Sequence, residues 1–157
     1  MGETGWTLRR AVARDAAALF HIRTSVRENA MSLADLAAIG LTETTVAAML
    51  SASRPCAWVA SVDDRVVGFS MIDEEEGSLF AAFVLPAFEG RGIGRALIAR
   101  AEAALFSQFD RIWLETDRNS RAAELYRRLG WRETSASGQD IHMEKSRPTD
   151  YSPSSSG

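Results

Sequence analysis

The sequence predicts one α/β domain, a mixed and mostly antiparallel sheet of six to seven strands covered by about four helices. Three observations lead there. Two β-rich runs, 57–62 and 65–72, are separated only by Asp63-Asp64, the signature of an antiparallel hairpin. An apolar run at 79–84 is followed by a glycine-rich loop, a helix-spaced segment and a second run at 111–116; such a strand–helix–strand unit is parallel, with a right-handed crossover. Elsewhere apolar residues recur at helical spacing.

Along the chain, residues 6–12 alternate and predict a first strand, and Asp15 offers an N-cap to a helix with Leu19, Ile22, Arg23 and Val26 on one stripe. Residues 28–53 are alanine-rich, with Leu33, Leu36, Val46, Met49 and Leu50 at helical positions. Thr42 there is a cap and Gly40 a break, so a second helix runs in one or two pieces. The acids at 73–76 end in Gly77 and predict a solvated turn rather than a cation site. After the glycine loop, Ile93, Leu97, Ala101, Ala104 and Leu105 give a helix one apolar face for the sheet. Ala122, Leu125, Tyr126 and Leu129 do the same for a short helix that Asn119 or Ser120 starts and Gly130 stops. Residues 131–134 and 141–144 predict the last two strands, with a polar loop at 135–140. The domain is expected to span 5–145, and 146–157, rich in Ser and Pro, to be a disordered tail or an appended remnant.

Composition narrows the function classes. A chain of 157 residues accommodates one domain with a real core. Its net charge of −3, from 18 basic and 21 acidic residues without a long basic run, leaves no footprint for nucleic acid. Cys56 is the single cysteine, so no intrachain disulfide forms; beside an apolar run it reads as a small core residue rather than a nucleophile. No run resembles a signal segment or a membrane span, which predicts a cytoplasmic protein without a membrane partner. His21 and His142 have no ligand spacing around them, and no metal is expected.

The functional reading starts at residues 89–95, Glu-Gly-Arg-Gly-Ile-Gly-Arg. Alternate glycines leave backbone N–H groups approachable. The loop runs into a helix whose first N–H groups lack intrahelical partners at the positive end of the dipole, which makes a site for an anion such as phosphate. The Gly-Lys-Ser/Thr ending of a nucleoside-triphosphate loop is absent. A dinucleotide fingerprint is half present in Gly92-x-Gly94, with Glu115 about twenty residues on, but its third glycine falls at Leu97. An NAD-type domain is therefore the lesser alternative.

Residues 84–97, Val-Leu-Pro-Ala-Phe-Glu-Gly-Arg-Gly-Ile-Gly-Arg-Ala-Leu, resemble the acetyl-CoA signature of the GNAT superfamily of N-acetyltransferases, (Q/R)-x-x-G-x-(G/A), with Glu89 in place of Gln or Arg. Residues 119–131, Asn-Ser-Arg-Ala-Ala-Glu-Leu-Tyr-Arg-Arg-Leu-Gly-Trp, resemble the second motif of that superfamily at every defined position. The resemblance covers roughly residues 6–145 and implies the GNAT fold, with a sheet splayed between its fourth and fifth strands. It implies acetyl-CoA as cosubstrate, its pantetheine amides on the strand edge at Ala82, Phe83 and Val84. Its diphosphate would lie on the amides of Glu89, Gly90, Arg91, Gly92, Ile93, Gly94 and Arg95, the two arginines assisting. Asn119, by the same resemblance, bonds a pantetheine amide or a water, with Ala122 and Tyr126 beside the cofactor.

Attack of an amine on a thioester requires an unprotonated amine, a stabilised oxyanion and a proton for the departing thiolate. The resemblance assigns the last to Tyr126; reference pKa values of about 10 for a phenol and about 8.5 for a thiol make that transfer feasible without a strong drive. Glu115 ends a strand as Trp-Leu-Glu, similar to relatives that acetylate protein N-termini and use this glutamate as base, although the stretch to Asn119 is one residue shorter. Where histone-type relatives carry a basic glutamate, this chain has Ser78. The implied activity is acetyl transfer to a primary amine of a small molecule, peptide or protein in a ternary complex, by a monomer or homodimer. The acceptor would be selected by residues 23–53 and 135–140, with Glu28, Glu43 and Glu133 as candidate contacts for a cation and His142 able to reach the cleft. A reading from another class is a non-catalytic acetyl-CoA sensor or interaction module.

Overall fold

The computed structural model describes residues 5–26 and 31–148; Glu28 lies outside the described residues, as do 149–157 of the expected tail. The order is β1 (Thr7–Arg10), α1 (Ala16–Ser25), α2 (Leu33–Ala38), α3 (Glu43–Leu50), β2 (Ala57–Val62), β3 (Arg65–Asp73), β4 (Ser78–Val84), α4 (Ile93–Phe106), β5 (Arg111–Asp117), α5 (Arg121–Arg128), β6 (Arg132–Ser137) and β7 (Asp140–Ser146). All strands join one sheet in the order β1-β2-β3-β4-β5-β7-β6. Every neighbouring pair is antiparallel except β4–β5, which is parallel and touches at a single register pair, Ser78 with Trp113. The mixed, splayed sheet anticipated from the sequence is thus present. A doubly wound parallel sheet, which the dinucleotide alternative requires, is not.

The helices number five among the described residues rather than about four, because residues 28–53 hold two separately capped pieces. The Ser32 hydroxyl accepts the Asp35 N–H at 3.0 Å to start α2, and the Thr42 hydroxyl accepts the Thr45 N–H at 3.2 Å to start α3. The β2–β3 turn places both Asp63 and Asp64 at left-handed φ of 51° and 67°, the backbone of a two-residue hairpin. The acid run is the expected turn, with one Asp73 carboxylate oxygen accepting the N–H groups of Glu75 and Glu76 at 3.0 and 3.2 Å.

Asp15 departs from its expected role. Instead of capping α1 its carboxylate turns back, taking both guanidinium nitrogens of Arg9 at 2.7 and 2.9 Å and the Val12 N–H at 2.8 Å. It is 5% exposed, and the hydrogen bonds from Arg9 hold its carboxyl below the usual carboxylate range despite burial. The last two strands also run longer than their apolar patterns, because antiparallel pairing carries β7 along β5 from Asp140 opposite Asp117 to Ser146 opposite Arg111. Arg147 continues beyond them, its N–H on Asp110 O at 2.7 Å and its guanidinium on the Asp110 carboxylate at 2.8 Å.

The core lies on both faces of β2–β4. On one face α4 buries Ile93, Leu97, Ile98, Ala101, Leu105 and Phe106, none more than 2% exposed. The approach is close because residue 68 is glycine; a Cβ there would lie 3.1 Å from Phe83 O and 3.2 Å from a Leu97 methyl. The buried Ser70 hydroxyl is satisfied by Leu97 O at 2.9 Å. On the other face α1 packs on β3, β4 and α3. Cys56 is half-buried, its thiol 3.6 Å from Met49 O; burial, and then the Glu74 charge, push it up, as suits an inert packing residue. No described helix is long and apolar enough to cross a membrane.

Candidate active site

The site is built by a sheet that fails to close. Beyond the Ser78–Trp113 pair, which the Trp113 N–H to Gly77 O bond (3.2 Å) and the Trp113 indole to Glu76 O bond (2.9 Å) reinforce, the rest of β4 has no strand partner on its β5 side. A cavity of about 320 Å³ occupies the opening. Leu19, Phe20 and Arg23 of α1 form one wall, Leu36, Ile39, Leu41 and Val46 of the α2–α3 region another, and Phe69, Met71 and residues 79–83 of β3–β4 the floor. Glu115 and Thr116 of β5, Asp140 at the start of β7, and Ala122 and Tyr126 of α5 close the far side.

At the end of β4 the chain makes a 3-10 turn, Pro86–Phe88, and enters the glycine loop. Gly90 and Gly92 sit at φ of 79° and 86°, where a side chain would be strained, and neither has a protein atom within 4 Å of an added Cβ. Gly92 is the N-cap of α4 and supplies no side-chain cap, so the first amides of that 14-residue helix open onto the loop. Ile93 is 1% exposed, which leaves only its N–H for a ligand, while the side chains of Arg91 and Arg95 are exposed. The Trp6 indole donates to Arg91 O at 3.2 Å, and the Arg91 guanidinium lies 5.0 Å from the Phe88 ring centre. Glu89 pairs with Arg121 at 2.9 Å, tying the loop to the first turn of α5. Uncapped amides beside an open glycine cradle, next to a bare strand edge at Ala82, Phe83 and Val84, fit the diphosphate and the amides of a coenzyme A molecule.

Tyr126 lines the cavity from α5. It is 6% exposed and packs edge-on against Trp131, ring centres 5.8 Å apart. Behind it the Trp131 indole donates to Glu102 at 2.9 Å, and Lys145 Nζ donates to the other Glu102 oxygen at 2.8 Å. Burial, with a smaller contribution from the Glu102 carboxylate, pushes the phenol well above its ordinary value, so it stays protonated. Among the described residues no hydrogen-bond partner meets its hydroxyl. It is therefore a weaker acid than its reference value suggests and a persistent hydrogen-bond donor.

The other expected residues divide. Glu115 lines the cavity with a largely exposed side chain; one oxygen lies 3.8 Å from His142 Nδ1. His142 stacks on Trp113 at 5.2 Å and approaches Glu144 at 3.2 Å. Asn119 stays outside the cavity, its N–H on Asp117 at 2.8 Å and its side-chain amide donating to Gln139 at 3.0 Å, while the N-cap of α5 is Ser120, accepting the Ala123 N–H at 3.1 Å. Glu43 is exposed and Glu133 faces Arg127 at 3.9 Å; neither lines the cavity. Sequence reasoning missed Arg23, Phe80, Thr116 and Asp140 as lining residues. For Arg23 a signal existed, a charge set in the apolar stripe of α1; for Asp140 there was none. Among the described residues no His, Cys, Asp and Glu cluster could hold a metal ion.

The model of the acetyltransferase (GNAT) family matches residues 21–131. In structure the chain is similar to the paiA N-acetyltransferase of Thermoplasma acidophilum in complex with coenzyme A, at 17% identity and a TM-score of 0.69 over 90% of this chain and 98% of that one. It is similar to the ribosomal-protein-S18-alanine N-acetyltransferase of Escherichia coli at 20% identity and a TM-score of 0.67, over 88% and 92% of the two chains. A third similar structure is yncA of Salmonella typhimurium with its cofactor acetyl-CoA, at 17% identity and a TM-score of 0.70 over 96% and 99%. At these identities the likeness is one of fold. No curated protein matches the sequence.

Proposed function

Because the chain belongs to the acetyltransferase (GNAT) family, we propose that it moves the acetyl group of acetyl-CoA to a primary amine by direct attack, both substrates meeting in the β4–β5 gap. The observation that carries this reading is the gap itself, with an uncapped helix start and open glycine loop at one end and a neutral, cavity-facing phenol at the other. When bound, acetyl-CoA supplies a thioester activated for acyl transfer.

The chain's own residues supply the rest. Main-chain amides from Gly90 to Arg95 hold the diphosphate, and the bare edge at Ala82, Phe83 and Val84 aligns the arm that follows it. Glu115 takes the proton of the incoming amine through a water, since an alkylammonium with a pKa near 10 must lose it before attack. As the carbon–nitrogen bond forms and the carbon–sulfur bond breaks, the Tyr126 hydroxyl donates a hydrogen bond to the sulfur, which ends as a thiol. Asn119, engaged with Gln139, has only a supporting part, holding the approach to α5. The lone, inert thiol of Cys56 suits a reducing cytoplasm.

Release of free thiol from acetyl-CoA in the presence of an amine panel tests the proposal. Amine-dependent release supports it. Tight coenzyme A binding with no release from any amine instead supports the sensor reading.

A further inference from the structure

We infer that the acceptor is a small apolar amino acid, or an amine of the same build, whose carboxylate is held by Arg23 while its amine end lies toward Glu115 and Asp140. The inference rests on the acetyl-transfer reading above and names its acceptor class.

The charges in the cavity are few and sorted. Of its lining side chains only Arg23, Glu115 and Asp140 are charged. Arg23 comes from α1, which packs on β3 and β4, and its guanidinium lies 4.3 Å from the centre of the Phe83 ring on β4. Glu115 is on β5, across the gap, and opposite it in register is His142, two residues from Asp140 and so on the same face of β7. One side of the gap is therefore cationic and the other anionic. The bare edge of β4 and Tyr126 lie between them. A molecule with an amine at one end and an anion at the other matches that polarity. A polyamine does not, because its second cation meets Arg23.

Three further observations give the anion and the body. A guanidinium stacked on an aromatic face presents its N–H groups in its own plane, the arrangement that receives a carboxylate through two parallel bonds. Burial lowers Arg23 from its ordinary value, the mark of a cation short of water, for which an anion is worth more than at the surface. At the rim, Ile39 and Phe80 are 59% and 49% exposed, two large apolar groups that an apolar side chain would cover. A volume of about 320 Å³ is near the lower end for ligand cavities and suits a molecule of amino-acid size.

The experiment uses matched probes with acetyl-CoA: L-phenylalanine, L-phenylalanine amide, phenethylamine and spermidine, read by thiol release and by calorimetric binding to the coenzyme A-loaded protein. Phenylalanine is expected to exceed its amide and phenethylamine by roughly 10- to 100-fold in kcat/KM, the usual worth of a hydrogen-bonded charge. Arg23→Gln brings these rates together, and Arg23→Lys restores part of the difference. Equal rates for phenylalanine and its amide in the unaltered protein overturn the inference while leaving acetyl transfer standing, as does a preference that survives Arg23→Gln. Phenylalanine bound through Arg23 without thiol release from any probe keeps the subsite and overturns the transfer. Should Arg23→Gln fail to fold, the carboxylate-against-amide comparison in the unaltered protein decides.

Discussion

Replacing Tyr126 with Phe isolates one oxygen atom. The ring, buried to 6% exposure and edge-on to Trp131, is retained, so core packing is unchanged. No described residue bonds the hydroxyl, hence its removal orphans no partner, and folding stability should move by no more than about 1 kcal/mol in either direction. For a chain of 157 residues that is about 2–4 °C in Tm. Turnover should fall much further. A positioned donor to a departing group contributes on the order of 10²-fold or more, about 2.7 kcal/mol of barrier. Since the phenol acts late, the loss belongs in kcat, with the Kd for coenzyme A within about twofold. Thiol-release kinetics at saturating amine, a coenzyme A titration and a melting curve, run on the same two proteins, give all three quantities. An unchanged kcat, or a kcat that falls only in step with Tm, refutes the role.

Further expectations follow from single residues. Gly92→Ala places a side chain at φ 86° in open space; backbone strain should cost about 1–3 kcal/mol, and coenzyme A affinity by calorimetry should drop at least about tenfold, an unchanged Kd counting against the diphosphate cradle. Asp15→Asn leaves Arg9 facing a neutral amide and should cost about 2 kcal/mol near neutral pH, less than a fully buried pair because Arg9 is 40% exposed. Because the folded-state pKa of Asp15 is depressed, its stabilisation is present above the unfolded value of about 3.9 and is lost as pH falls through the folded one. The gap between the two proteins in denaturant melts should therefore close on acidification below that value, and a gap constant down to acid pH refutes the linkage. Glu102→Gln removes the anion between the Trp131 indole and Lys145 and should lower Tm by several degrees, to be read by calorimetry.

What the sequence made legible was local. Asp63-Asp64, Thr42 and Ser120 announce their turns and caps because each solves a backbone problem within three residues of itself. The glycine loop was readable for the same reason, since alternate residues without side chains have few other uses. Asp15 misled, because a short acid before a helix has two nearby solutions and Arg9, six residues back, decided between them. The ends of β6 and β7 are set by their neighbours in the sheet and not by their own apolar pattern. Arg23 and Asp140 became neighbours of one cavity only through the placement of α1 over β4 and of β7 beside β5, a distance no spacing along the chain encodes.

A seam fastened at one rung makes the two parts of the sheet behave like plates on a common pin. Neither border along the slit is satisfied by protein, so each is a row of amide groups waiting for a guest with matching polarity. Such a guest is a missing strand made from other chemistry: loading the protein completes its architecture, and heat resistance should climb with cosubstrate concentration in proportion to how well the slit is stitched.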